Sequence, residues 1–442
     1  MKNLVEDGIL AADAAGAIAV KSARTESADR RKAGAPAASA GRRVLIIVEN
    51  LPVPFDRRVW SEATTLAANG YEVTVICPKG RGAEKSFEVL DGVRIYRHWL
   101  PREARGLIGF VAEYCIALFW EFVLSIKVSM KHGIDVIHAC NPPDLIFLVG
   151  AFHKYLFGKR FVFDHHDIGP ELYEAKFGRR DALWKLMLLL ERVTFGVADI
   201  SIATNESYKR IAVNRGRMEP ERVFVVRSGP NLGRIKPRPR DDKWKRGKTN
   251  LVAYVGVIGR QEGLDLLLEV VGKLRDERQR TDIQFVIMGD GPELDEIKRL
   301  TREMALEGSV TFTGRVDDET LLTVLSTADV CVNPDRPNEM NDKSTMNKIM
   351  EYMALGKPIV QFDLAEGRFS AEVASLYATD VDDFATKLVE LLDDPARRAA
   401  MGEFGANRVR NSLTWEHEVP KLLAAYDRVF ETALSRAGKK PA

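Results

Sequence analysis

The chain has 442 residues, of which 45% are hydrophobic and 29% charged. That is the composition of a globular protein with two cores, since single cores rarely grow past about 250–300 residues. A net charge of +2 argues against a strongly basic nucleic-acid binder, and four scattered cysteines (Cys77, Cys115, Cys140, Cys331) with no metal-ligand spacing fit a reducing cytoplasm.

Residues 1–42 are rich in Ala, Gly, Ser and charge, carry no secretory signal, and are expected to be a disordered leader. From Arg43 short apolar runs alternate with helical stretches: Val44–Val48, Glu72–Cys77, Asp135–His138, Arg160–Asp164 and Asp199–Ala203. Continuous apolar strands between helices predict a parallel sheet covered on both faces, so 43–233 reads as one Rossmann-like domain. The longest apolar stretch, residues 107–127, is interrupted by Glu113, Glu121 and Lys127. It is a poor membrane-spanning helix and fits one lying on a core or on a bilayer surface, leaving a peripheral membrane contact open. Residues 234–249 are rich in charge and proline and read as a basic linker.

A second series follows over 250–414, with strands at Leu251–Gly256, Ile283–Gly289, Val310–Gly314, Ala328–Asn333 and Pro358–Phe362. The predicted fold class is therefore α/β, two doubly wound Rossmann-like domains facing across a cleft, with ligands at the carboxyl ends of the strands. Residues 415–442 predict a closing helix folding back towards the first domain, plus a tail.

The chemistry is read from the strand ends. Asn341–Asp363 reads as polar loop, helix, glycine stop and buried strand. Asp342 or Ser344 is the expected cap, and Gly356 with Pro358 marks the helix end. A helix N-terminus binds phosphate through free N–H groups and its dipole, and Lys343 adds a charge there. Glu351, about two turns further on, can accept hydrogen bonds from sugar hydroxyls. Gly256–Asp265 follows the second domain's first strand, where glycines such as Gly259 let backbone approach a phosphate and Arg260 offers a planar donor fork.

In the first domain, His166 ends a strand within His165-His166-Asp167. Neighbouring strand side chains point to opposite faces, so a metal site is not expected, and a hydrogen-bonding role for His166 is. Asn141 or Asp144 is expected to cap the helix after Pro142-Pro143, with an acceptor contact for Asn141 as the minor alternative. Asp56 is the expected cap of the helix that carries Arg57 and Arg58, two arginines able to reach an anion. Gly247-Lys-Thr249 lacks the earlier Gly and the preceding strand of a phosphate-binding P-loop.

In order, these motifs resemble the retaining glycosyltransferases of the GT-B fold, family 4 (glycosyl transferases group 1). The resemblance spans about residues 43–433. It rests on the loop ending in Arg57-Arg58, on Asp135–His138, Phe163–Glu171, Gly256–Asp265, Gly289–Pro292, Phe312–Val316 and Lys348–Val360, and on Trp415 and Tyr426. The resemblance implies an enzyme that moves a sugar from a nucleotide-diphosphate donor to a hydroxyl of a glycan or lipid-linked glycan, with retention and without metal or other cofactor. It implies a role in envelope or exopolysaccharide synthesis, in the cytoplasm or at the cytoplasmic face of the membrane. Glu351 matches the second Glu of the family's Glu-x7-Glu motif and would hold the ribose. Arg315 and Val316 lie where backbone reads the base, with Ser344 and Thr345 beside the donor and His166 near the transferred sugar. Two departures stand out. The first Glu of Glu-x7-Glu is Lys343, and the family's diphosphate-binding Arg and Lys are Val257 and Glu262. Arg260 and Lys343 are the candidate replacements. A non-catalytic scaffold or regulatory protein on this fold, or a nucleotide-sugar epimerase or hydrolase, stays open beside the transferase reading.

Overall fold

The computed structural model describes residues 41–80, 82–100 and 106–437; the leader falls outside them. Two compact units emerge. One runs to Arg227 and resumes at Glu418, and the other is Ser228–His417.

In the first unit the elements in order are β1 (Arg43–Ile47), α1 (Arg57–Ala68), β2 (Glu72–Pro78), β3 (Phe87–Leu90), β4 (Val93–His98), α2 (Gly106–His132), β5 (Val136–Cys140), α3 (Phe147–Phe157), β6 (Arg160–His165), α4 (Gly169–Phe177), α5 (Ala182–Val197), β7 (Ile200–Ala203), α6 (Glu206–Asn214) and β8 (Val223–Val225). The sheet order is β3-β4-β2-β1-β5-β6-β7-β8, parallel except for the β3–β4 pair. Leu45, Ile46 and Ile47 are all fully buried, because helices cover both faces and successive side chains point to opposite ones. Asp56 caps α1, accepting from the Val59 N–H at 3.0 Å. The expected cap at the prolines is absent: a 3-10 turn over Asp144–Ile146 precedes α3, and neither start has a side-chain cap.

The second unit holds β9 (Asn250–Val255), α7 (Leu264–Asp276), β10 (Ile283–Met288), α8 (Leu294–Glu303), β11 (Val310–Gly314), α9 (Asp318–Thr327), β12 (Val330–Asn333), α10 (Glu339–Lys343), α11 (Asn347–Ala354), β13 (Ile359–Phe362), α12 (Ala365–Ala371), β14 (Ser375–Ala378), α13 (Val381–Asp393) and α14 (Pro395–Arg408). Its all-parallel sheet has the order β11-β10-β9-β12-β13-β14. Along β9, Val252 and Tyr254 enter one buried cluster while Leu251 and Ala253 enter another on the opposite face. The stretch read as a linker belongs to this unit: Ile235 is buried in the second cluster and Trp244 packs against it. Charge density hid those two apolar anchors.

The helix expected across residues 343–355 is two helices. Asn338 caps α10, and the chain turns extended at Ser344; α11 then starts at Asn347 with no side-chain cap. Neither proposed cap acts as one. Asp342 accepts from the Ala365 N–H at 2.8 Å, and the Ser344 hydroxyl donates back to the Met340 carbonyl at 2.8 Å. Gly356 does terminate α11, at φ 67°, with Lys357 N–H donating to the Tyr352 carbonyl at 3.0 Å. The last helix, α15 (Trp415–Ala437), belongs to the first unit from Glu418 onward.

Candidate active site

In the second unit the strand order reverses between β9 and β12, since β10 lies to one side of β9 and β12 to the other. Ligands of open α/β sheets bind at the carboxyl ends of the strands at such a point. Three loops meet there. Ile258 N–H donates to the Asp290 carbonyl at 2.9 Å, tying the loop after β9 to the loop after β10, and Arg336 N–H donates to the Gln261 carbonyl at 3.0 Å, tying it to the loop after β12. Glycine is required at two of these contacts. Gly263 sits at φ 63° where a Cβ would strike the Pro334 carbonyl, and at Gly289, φ 143°, a Cβ would strike the Gly256 carbonyl.

The cation beside this loop is one the sequence reading passed over. Lys348, at the second position of α11, holds its Nζ 2.9 Å from Asp335 Oδ1 and 4.7 Å from the centre of the Tyr254 ring. It lies so close to the loop that a Cβ on Gly256 would be 3.4 Å from Nζ. Lys343 is elsewhere: it ends α10, paired with Glu339 one turn back, where its charge suits the carboxyl end of that helix. The expectation that Lys343 supplies charge to a helix N-terminus is therefore corrected. Arg260 is exposed, and its carbonyl accepts from Arg336 Nε at 3.1 Å.

Glu262, at the position where the family carries a Lys, faces the same cluster. Burial pushes its carboxyl up to about 7, the nearby Asp335 adds to the rise, and Lys348 opposes it. A carboxyl in that range is neutral below pH 7 and ionises above it, so negative charge appears beside the glycine loop as pH rises. Affinity for an anion at this loop is expected to fall between about pH 6 and 8, and Glu262→Gln should flatten that dependence. A titration with inorganic pyrophosphate across this range checks it; an unchanged slope in the variant would remove Glu262 as the cause.

Glu351 sits on α11 with Oε1 2.7 Å from Arg234 Nη2, while Arg234 Nη1 is 2.9 Å from Asp318. Arg315 and Val316 follow β11 and are half-buried, with Val316 packed on the core. Ser344 and Thr345 lie in the break between α10 and α11, half-buried. Lys348 and the Gly259 loop are thus brought together, and Glu351 is held by Arg234, a residue unmarked in the sequence because it falls in the basic stretch.

In the first unit Asp164 is the centre of a buried polar cluster at the end of β6. Arg58 Nη2 lies 2.9 Å from its Oδ1, His166 Nε2 2.5 Å and His138 Nε2 3.3 Å from its Oδ2. Burial would raise Asp164, but Arg58 and His166 overcome it and hold the carboxyl well below the usual range. Glu62 lies 3.1 Å from the same guanidinium. Burial, then the Asp164 charge, push Glu62 well above the ordinary value, so the two carboxyls are driven in opposite directions around one guanidinium. The network runs outward through His138, whose Nδ1 is 2.8 Å from the Tyr426 hydroxyl on α15.

This arrangement separates residues that the sequence grouped. Arg58 is buried in the cluster and also donates to the Val226 carbonyl at 2.7 Å, whereas Arg57 is exposed. His165 points to the opposite face, ringed by Phe163, Phe195 and Tyr208, and burial lowers it to about 3. Asn141 is a brace: its Oδ1 accepts from His166 N–H at 2.7 Å and its Nδ2 donates to the Asp167 carbonyl at 2.7 Å. That fixes the loop presenting His166, so Asn141 acts through His166. Donor atoms of His138, Cys140 and Asp164 fall within 4.8 Å of one another, as do those of Glu62, Asp164 and His166. The guanidinium of Arg58 already neutralises Asp164 at 2.9 Å and would repel a cation, so the donor sets fit a salt-bridged cluster better than a metal site.

Comparison with known proteins agrees with this architecture. Residues 56–234 match the family model Glycosyltransferase Family 4, and residues 249–394 match the model Glycosyl transferases group 1. The chain belongs to the GT-B glycosyltransferases. This GT-B chain is similar in fold to sucrose-phosphate synthase from Thermosynechococcus elongatus, at TM-score 0.73 and 21% identity over 88% of this chain and 100% of that one. It is 24% identical over 399 residues to D-inositol 3-phosphate glycosyltransferase of Gordonia bronchialis, covering 86% of this chain and 84% of the relative. With the phosphatidylinositol N-acetylglucosaminyltransferase GPI3 subunit of Saccharomyces cerevisiae it is 25% identical over 218 residues, 48% of this chain. The GT-B chain spans about half the length of that relative, 46%.

Proposed function

We infer that this protein is a retaining glycosyltransferase that moves a sugar from a nucleotide-diphosphate donor to a hydroxyl of a glycan or lipid-linked glycan in envelope polysaccharide synthesis. The observation that carries this reading is Lys348 at the glycine-lined switch point of the second unit. A leaving diphosphate needs positive charge and N–H dipoles aimed at it, and Lys348 with the loop backbone supplies both where the family's Arg and Lys are replaced by Val257 and Glu262. Glu351 takes the ribose hydroxyls, Arg315 and Val316 border the base, and Arg260, Ser344 and Thr345 flank the donor. His166 is the group the first unit offers to the transferred sugar, its Nε2 lying between Asp164 Oδ2 at 2.5 Å and Arg58 Nε at 2.9 Å. No protein nucleophile or metal is required, because the leaving phosphate can take the proton of the incoming hydroxyl on the same face. The names of the two curated relatives, one acting on phosphatidylinositol and one on D-inositol 3-phosphate, support a hydroxyl acceptor.

Lys348→Ala is expected to weaken nucleoside diphosphate binding by about tenfold or more, the value of a charge-assisted hydrogen bond, and to leave nucleoside affinity nearly unchanged. Calorimetry with both ligands checks it, and equal losses for the two would place Lys348 away from the phosphates.

Transfer itself is tested by incubating the protein with radiolabelled nucleotide sugars and a membrane-lipid or glycan extract, then reading the anomer of the product by NMR. Labelled product with the donor's configuration supports the proposal. Free sugar released without acceptor points to a hydrolase, and no donor consumption points to a non-catalytic scaffold.

A further inference from the structure

The first unit carries an apolar surface that its described residues leave open. The steps β4 to β5, β5 to β6 and β6 to β7 all run the same way along the sheet, so right-handed crossovers set α2, α3 and α5 on one face. There α3 packs against both of the others. Their inner sides meet the sheet, yet their outer sides are also apolar. On α2 the exposed stripe is Phe119, Trp120, Val123 and Met130, the last 78% exposed. The end of α3 exposes Tyr155, Leu156 and Phe157, the tyrosine at 71%. On α5 Leu186, Leu189 and Val193 recur at helical spacing on the solvent side. Soluble monomers rarely leave so large an apolar surface uncovered.

Charge selects the occupant. The carboxylates of these helices, Glu113, Glu121 and Glu191, are buried, so the exposed charges among the described residues of the three helices are Lys127, Lys131, Lys185 and Arg192. A second copy docking face to face would set like charges against each other. An anionic headgroup layer pairs with the cations while the aromatic and aliphatic side chains enter the acyl boundary. No helix among the described residues is long and apolar enough to cross a membrane, so the contact is with the surface. We propose that the outer face of α2, α3 and α5 docks on an anionic lipid bilayer. This does not depend on the transferase reading, since it needs neither donor nor acceptor.

The test is co-sedimentation of the full chain with phosphatidylcholine vesicles and with vesicles carrying about one third phosphatidylglycerol, at low and high salt, without substrate. Binding to the anionic vesicles is expected to be at least about tenfold stronger and to weaken with salt. The variant Leu186→Ser/Leu189→Ser/Val193→Ser should lose binding by a similar factor, and Lys127→Ser/Lys131→Ser/Lys185→Ser should lose the preference for anionic lipid. Unchanged circular dichroism and denaturant midpoints show that both remain folded. Equal or absent sedimentation with both vesicle types overturns the proposal. So does a stable dimer that Leu189→Lys dissociates, which would make the occupant a second copy.

Discussion

Replacing Asp164 by Asn and Glu62 by Gln together is expected to destabilise the first unit by about 3–5 kcal/mol, the cost of leaving a buried guanidinium without an ionised partner. The single change Asp164→Asn should cost far less. The Asp164 charge helps to hold Glu62 above its ordinary value, so with that charge gone Glu62 ionises more readily and can take over Arg58 from 3.1 Å. Glu62→Gln alone leaves the Arg58–Asp164 pair intact and should be milder still. Urea unfolding of the two single variants and the double variant closes the cycle. Strictly additive losses would show that the two carboxyls do not share Arg58. The pH dependence has a definite sign. Asp164 lies below its unfolded value, so its contribution is present at neutral pH and is lost as pH falls through the folded-state value. Glu62 lies above its unfolded value, so its contribution is present in acid and is lost as pH rises.

Glu351→Ala is expected to lower donor affinity by about ten- to a hundredfold, since a carboxylate accepting hydroxyl hydrogen bonds contributes roughly 1.5–3 kcal/mol. The fold should tolerate the change, because Arg234 keeps its contact with Asp318 at 2.9 Å and the Glu351 pair is partly exposed, where such pairs contribute little. Calorimetric titration of the variant with the preferred nucleotide sugar provides the check. Undiminished affinity would take Glu351 out of the donor site.

The alternation of apolar runs and helical stretches made five strands of each sheet legible in the sequence, because a strand buried on both faces has no polar side to disguise it, while β3, β4, β8 and β14 went unmarked. Asp56 as cap and Gly356 as helix stop were equally plain, each following from a local rule that needs no partner. What failed depended on where a polar side chain finds its partner. Ser344 and Asp342 have the chemistry of caps, but their oxygens bond to Met340 and Ala365. Asn141 could cap or bind, and its two ends are taken by the backbone of His166 and Asp167. Lys343 and Lys348 are five residues apart, and only the break between α10 and α11 decides which of them reaches the glycine loop. The Asp164 cluster draws on β5, β6, α1 and α15, so no single stretch announces it. The pairing of His138 with Tyr426 spans 288 positions. One signal was available: opposite pointing of successive strand residues puts Asp164 and His166 on one side and His165 on the other.

The most direct test of the account is thermal unfolding of the full chain with UDP, GDP, ADP, TDP and their common sugar conjugates, beside Lys348→Ala and Glu351→Ala. A ligand at about 100 times its dissociation constant adds roughly 2.7 kcal/mol to the native state, enough for a clear shift. The account predicts a shift with one base, carried by its diphosphate and sugar forms and diminished in both variants. No shift with any nucleotide, or a shift that both variants keep in full, would contradict a donor site built on Lys348 and Glu351.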